Sequence, residues 1–151
     1  MFTGYFARLK IYKEQGLIPV AICGKSPDWY DGFQYKKLAP KWAFFKEWKD
    51  GAHKGDNAYY CKHFKEEVLD TLDVEMVKKE LEQFGPLDKL ILLCYEKTGD
   101  FCHRRLVADW FCGNGIGCIE FLTKQDLSNV IVDIMKNQTP SMFIGEKGND
   151  T

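Results

Sequence analysis

The sequence predicts an α/β fold: a single-domain layered sandwich with a mostly parallel central sheet flanked by helices. Three observations carry this. An amphipathic segment near the start is followed by an apolar strand-like run, an order that suits layered α/β folds better than bundles. A second apolar run, Leu90-Ile91-Leu92-Leu93-Cys94, lacks alternation, as a central strand buried on both faces should. The length, 151 residues, fits one domain with a sizeable core.

Tyr5 to Gln15 reads as a short helix stopped by Gly16. Leu17 to Cys23 follows as a strand with Pro19 near its start, and Gly24-Lys25-Ser26-Pro27 turns the chain. Asp28 to Trp48 interleaves Trp29, Tyr30, Phe33, Tyr35, Trp42, Phe44, Phe45 and Trp48 with lysines. Such rings either stack bases while the lysines hold phosphates, or pack a long loop onto the core, which is the preferred reading. Pro40 opens a helix over Lys41 to Lys49.

Asp56 or Asn57 caps a helix running to about Leu72, with Tyr60, Phe64, Val68 and Leu72 on one face. Asp73 caps the next, which Gly85-Pro86 ends. A strand then covers about Leu87 to Tyr95, and a helix covers Arg104 to Phe111 before Gly113-Asn114-Gly115. Gly117 to Leu122 is a further short strand. Thr123 and Asp126 form a helix-start box ahead of the apolar face Leu127, Val130, Ile131, Ile134, Met135. Residues 1–144 are expected as one domain and 145–151 as a flexible tail.

The net charge of −1 excludes a global field for a polyanion. Locally, Lys25 to Lys54 holds seven lysines against four acids, while Glu66 to Asp100 holds ten acids against four lysines. An anionic ligand is therefore expected on the first surface, and a solvated outer face on the second. No signal peptide is expected ahead of Met1-Phe2-Thr3-Gly4-Tyr5, and six cysteines are too sparse for a secreted disulfide scaffold. Reduced thiols in a cytoplasmic protein are the expectation. No apolar run reaches the roughly 20 residues a membrane span needs.

The chemistry concentrates between Cys94 and Arg105. A loop from a strand to the next helix lies at the carboxyl edge of the sheet, where open α/β folds bind ligands. Cys102, next to His103 and Arg104 at a helix start, has the surroundings that lower a thiol pKa. Glu96 is placed to orient His103, pair Arg104 or act as a general base. The bland reading is a buried Cys94, an ion pair between Glu96 and Arg104, and a His103 that caps the helix start or faces solvent there. A zinc site from Cys94, Cys102 and His103 lacks an obvious fourth ligand, and Cys61-x-His63 is too short and isolated. No metal and no cofactor are expected.

The pattern Cys94-x-Glu96-x5-Cys102-His103-Arg104, between an apolar strand and Leu106-Val107-Ala108, resembles the hallmark of the domain of unknown function 488 family. Thr3-x-Tyr5-Phe6, the Lys25-x-Pro27 turn and Leu38-Ala39-Pro40 resemble its opening and its small phage and bacterial branch. The resemblance implies a compact α/β domain with the motif at a strand–helix junction, without assigning an activity. The family more often has an Asp-x-Arg after its first strand; here Lys25 supplies the positive charge and the acid is missing.

Glu96, Cys102, His103 and Arg104 are thus the candidate catalytic residues; Lys25, Tyr5, Cys94 and Arg105 are candidate ligand contacts. The expected function is a thiol/carboxylate enzyme acting on a phosphate-bearing, nucleotide-like or nucleic-acid substrate. The alternative is a non-enzymatic phage or bacterial binding module for a nucleotide or a host protein. The expected partner is an anionic small molecule or a nucleic acid, not a membrane.

Overall fold

The computed structural model describes residues 1–146. Contacts divide the chain into two units, Met1–Phe121 and a second that begins at Leu122. The first contains a five-stranded parallel sheet in the order β3-β2-β4-β1-β5. Its strands are β1 (Phe2–Tyr5), β2 (Ile18–Ala21), β3 (Phe33–Gln34), β4 (Leu90–Cys94) and β5 (Ile119–Glu120). The helices are α1 (Leu9–Glu14), α2 (Trp42–Asp50), α3 (Asn57–Glu67), α4 (Val74–Glu82) and α5 (His103–Gly113). Among the described residues no helix is long and apolar enough to cross a membrane.

β4 is the hub. It pairs with β2 on one side and β1 on the other, and all five of its residues are buried. Leu90 and Leu92 enter a core with Val20, Ile22, Phe64 and Phe111, while Ile91 and Leu93 enter the opposite one with Phe6, Tyr12 and Ala21. Both faces are covered, which explains why this strand reads as an unbroken apolar run. The helices that cover the sheet start where the sequence signals them. Asp56 accepts from the Tyr59 N–H at 3.0 Å, and Asp73 from the Met76 N–H at 2.9 Å.

Two strands escape the local pattern. β1 occupies the first residues, where a helix from Tyr5 was the only expected element; it holds because Phe2, Thr3, Gly4 and Tyr5 align with Ile91 to Cys94. Gly4 is needed there: a Cβ would stand 2.6 Å from the Tyr12 ring and 2.8 Å from Ile91. β3 is only two residues long and lies inside the aromatic loop.

That loop splits its rings between two tasks. Tyr30, Tyr35 and Phe44 are buried, and Tyr35 donates to Glu80 of α4 at 2.9 Å while Lys37 pairs with the same carboxylate at 2.8 Å. The acidic face of α4 is therefore partly a docking point for the loop. Trp42 stays 69 % exposed.

The second unit holds α6 (Lys124–Glu146). Its start is the reciprocal box expected from Thr123 and Asp126: the Thr123 N–H donates to the Asp126 carboxylate at 3.1 Å, and the Asp126 N–H to the Thr123 hydroxyl at 3.2 Å. The expected tail, Gly145 to Thr151, lies outside the described residues from residue 147 onward.

Candidate functional site

The carboxyl ends of β1, β2, β4 and β5 converge on one region because the strands are parallel. Beyond β2 and β4 opens a cavity of about 810 Å³. Its sheet side carries Cys23, Lys25, Cys94 and Glu96; Cys102 and His103 come from the start of α5; Trp42, Phe45, Trp48 and Lys49 come from α2. Trp48, Tyr60 and Phe101 pack ring against ring at 5.0 to 5.5 Å to build one wall. Asn57 accepts from the Trp48 indole N–H at 3.1 Å, which fixes that ring. The rings and lysines that looked like loop packing thus also furnish an apolar, cationic pocket.

Cys94 and Cys102 are joined by a disulfide, which corrects the expectation of reduced thiols at these two positions. The bond ties the end of β4 to the residue preceding α5, across the loop that carries Glu96. Cys23, Cys61, Cys112 and Cys118 are free. Burial pushes the Cys23 thiol up, so the other sulfur lining the cavity is a poor thiolate.

His103 is buried rather than solvent-facing, and Glu96 does not orient it. Its Nε2 lies 2.9 Å from the Ile22 carbonyl oxygen. A carbonyl only accepts, so Nε2 carries the proton and Nδ1 offers a lone pair. That lone pair faces the Cys102 sulfur at 3.8 Å. Burial, with a smaller push from Arg104, lowers the His103 pKa to about 4, so the ring is neutral at physiological pH.

Arg104 also departs from expectation. It is buried, and its partner is Glu120 on β5, not Glu96. Nε and Nη2 donate to the two carboxylate oxygens at 3.0 and 2.8 Å, a bidentate pair. Nη1 donates to the Cys94 sulfur at 3.3 Å. Thr3 and Thr98 add hydroxyl donors to Glu120 at 2.7 and 2.9 Å. Burial alone would raise the Glu120 carboxyl; the hydrogen bonds and charge of Arg104, helped by the threonines, outweigh it and hold the pKa below the usual carboxylate range. With its donors committed inward, Arg104 positions Cys94 and ties α5 to the sheet.

The remaining candidates divide. Lys25 and Glu96 are exposed and line the cavity. Tyr5 is buried with its ring 5.7 Å from the Arg104 guanidinium, and Arg8 donates to its hydroxyl at 2.9 Å. Arg105 is exposed, and neither it nor Tyr5 is among the lining residues. Sequence reasoning missed Glu120, whose one signal was an acid inside an expected short strand. It also missed Phe101, Tyr60 and Lys49 as cavity residues.

A family model described as the active DUF488-N3 subclade matches residues 8–115. That span takes in Glu96, both bonded cysteines, His103 and Arg104, and leaves out β1 and Glu120. No curated protein and no solved structure matches.

Proposed function

The chain belongs to the DUF488 family, within the subclade described as active, and we propose the following function for it. The cavity binds a phosphate-bearing, nucleotide-like ligand, and the chain acts on it through Cys102, His103 and Glu96. One observation carries the reading: an aromatic wall, two lysines, a carboxylate and a cysteine–histidine pair line a single cavity at the sheet's carboxyl edge. Its volume of about 810 Å³ lies within the range of small-molecule sites. Trp42, Phe45, Trp48 and Phe101 offer faces on which a base stacks, and Lys25 and Lys49 offer charge for phosphate.

The chemistry follows the logic of an activated nucleophile, with a base held in turn by a third group. With the thiol free, Cys102 gives its proton to Nδ1 of His103, whose ring the Ile22 carbonyl holds in place. The sulfur's electron pair bonds to the electrophilic centre of the substrate as the bond to the leaving group breaks. The leaving group takes the proton from His103. Water held by Glu96 then cleaves the covalent intermediate and restores the thiol. A neutral imidazole suits this role, because it accepts the proton only as the sulfur attacks.

A second reading is a binding module without turnover. It is favoured by the bonded state of Cys94 and Cys102, in which no free thiol is on offer. Titration calorimetry of the reduced chain with nucleoside mono- and diphosphates and short single strands tests both. Binding that weakens with salt is expected, with Cys102→Ser and Glu96→Gln retaining it while losing turnover of the bound ligand. Binding with no turnover in the reduced wild-type chain selects the module. Absence of binding to every one of these ligands at low salt ends both readings.

A further inference from the structure

The donors around the two bonded sulfurs are arranged for the separated state. A disulfide sulfur carries no hydrogen, so in the bonded form Cys102 has nothing to give the Nδ1 lone pair of His103 at 3.8 Å. Nε2 is already committed to Ile22, which leaves Nδ1 as the acceptor in a buried ring. Reduction supplies the missing S–H. On the other side, Arg104 Nη1 stands 3.3 Å from the Cys94 sulfur, where a charged donor favours a departing thiolate. Both cysteines line the cavity; Cys102 is 6 % exposed and Cys94 1 %, so a small thiol approaches the bond from the Cys102 side.

We infer that the Cys94–Cys102 bond is a reversible redox gate on this site, opened by a dithiol reductant, and that only the open form presents Cys102 as a nucleophile. This rests on the reading of the cavity as the active site. The exchange balances. One thiolate of the reductant attacks the Cys102 sulfur, and the electron pair of the S–S bond leaves with Cys94, whose thiolate Arg104 receives. The second sulfur of the reductant displaces Cys102 from the mixed disulfide and closes the reductant into its own disulfide. Two electrons pass to the protein sulfurs; one dithiol proton ends on Cys102, facing His103, and the other goes to solvent while Cys94 stays a thiolate beside Arg104. Opening also releases the staple across the loop that carries Glu96, so the nucleophile and the carboxylate are unlocked together.

The test counts thiols and measures ligand capture separately on the full chain. After treatment with dithiothreitol, alkylation in denaturant followed by intact mass should block all six cysteines. After mild oxidation it should block only the four that stand free, and a second reduction should restore six. Cys94→Ser should keep Cys102 alkylatable in the native chain whether or not oxidant is present, whereas the wild-type Cys102 should react only after reduction. If Cys94→Ser fails to fold, peptide mapping of the wild-type chain reads the same residue. Six reactive cysteines after oxidation overturn the gate, as does oxidation that pairs other cysteines. One equivalent of zinc taken up by the reduced chain, with Cys94 and Cys102 shielded from alkylation, also overturns it. If the count cycles between six and four but no nucleotide binds in either state, the gate stands and the proposed ligand falls.

Discussion

Replacing Glu120 with Gln isolates the interaction that holds the base of the site together. The Arg104 side chain is only 4 % exposed and takes a bidentate carboxylate from Glu120. Removing one partner of a buried pair costs about 3–5 kcal/mol, because the other charge stays desolvated. Two details lower the figure. The Glu120 side chain is itself 26 % exposed, so water reaches part of the pair, and glutamine keeps one oxygen for the guanidinium. About 3 kcal/mol results, roughly two decades in the unfolding equilibrium, from the low end of that range. Urea unfolding followed by tryptophan fluorescence should show the midpoint falling with the slope unchanged. Glu96→Gln, at an exposed position, should stay within about 0.5 kcal/mol of the parent. A cost below about 1 kcal/mol for Glu120→Gln, or an equal cost for the Glu96 variant, would mean that the buried pair does not hold the site's base.

The buried His103 makes stability depend on pH. Its folded pKa, about 4, lies below the ordinary 6.5, so as pH falls the unfolded chain takes up this proton first. Stability is complete above the ordinary value and drains by about 3 kcal/mol on the way down to pH 4, a window that His103→Gln should flatten in pH-dependent melts. Glu120, whose folded pKa is depressed, adds a loss of the same sign as pH falls below the ordinary carboxylate range. Trp42→Ala, at a 69 % exposed ring, should leave the melting temperature unchanged. In titration calorimetry it should weaken a stacked nucleotide about 5- to 150-fold, the equivalent of about 1–3 kcal/mol per base. Gly4→Ala, which drives a methyl against the Tyr12 ring, should destabilise by about 1–3 kcal/mol in the same melts, without direct contact with the cavity.

The strand, loop and helix that frame the site are legible because their signals are local. Leu90 to Cys94 reads as a central strand from its own composition, and the α/β order places its end at the ligand-binding edge. The partners of the polar groups are not local. Arg104 meets Glu120 only because β5 aligns with β1, which sets Thr3 beside Glu120; nothing near Arg104 in sequence distinguishes that acid from Glu96. Likewise His103 is oriented by a backbone carbonyl at Ile22, and every residue has such a group, so no residue type announces it. β1 escaped notice because Thr3 and Gly4 interrupt its apolar signal, and its strand character comes from its neighbours in space. The aromatic loop allowed two readings since ring burial and ring stacking require the same residues; the structure gives Phe44 to the core and Trp42 to the cavity rim.

The position of β1 between β4 and β5 also sets the order in which this molecule can be assembled. The contact from Thr3 to Glu120 spans 117 residues, so β1 waits for that much further chain before its second neighbour exists. Until then its backbone edge stays unpaired, a template for any other extended strand. Pairings this distant in sequence slow folding, because a long loop must close before any contact rewards it. A chain cut short before β5 lacks the acid that keeps the Arg104 guanidinium in place.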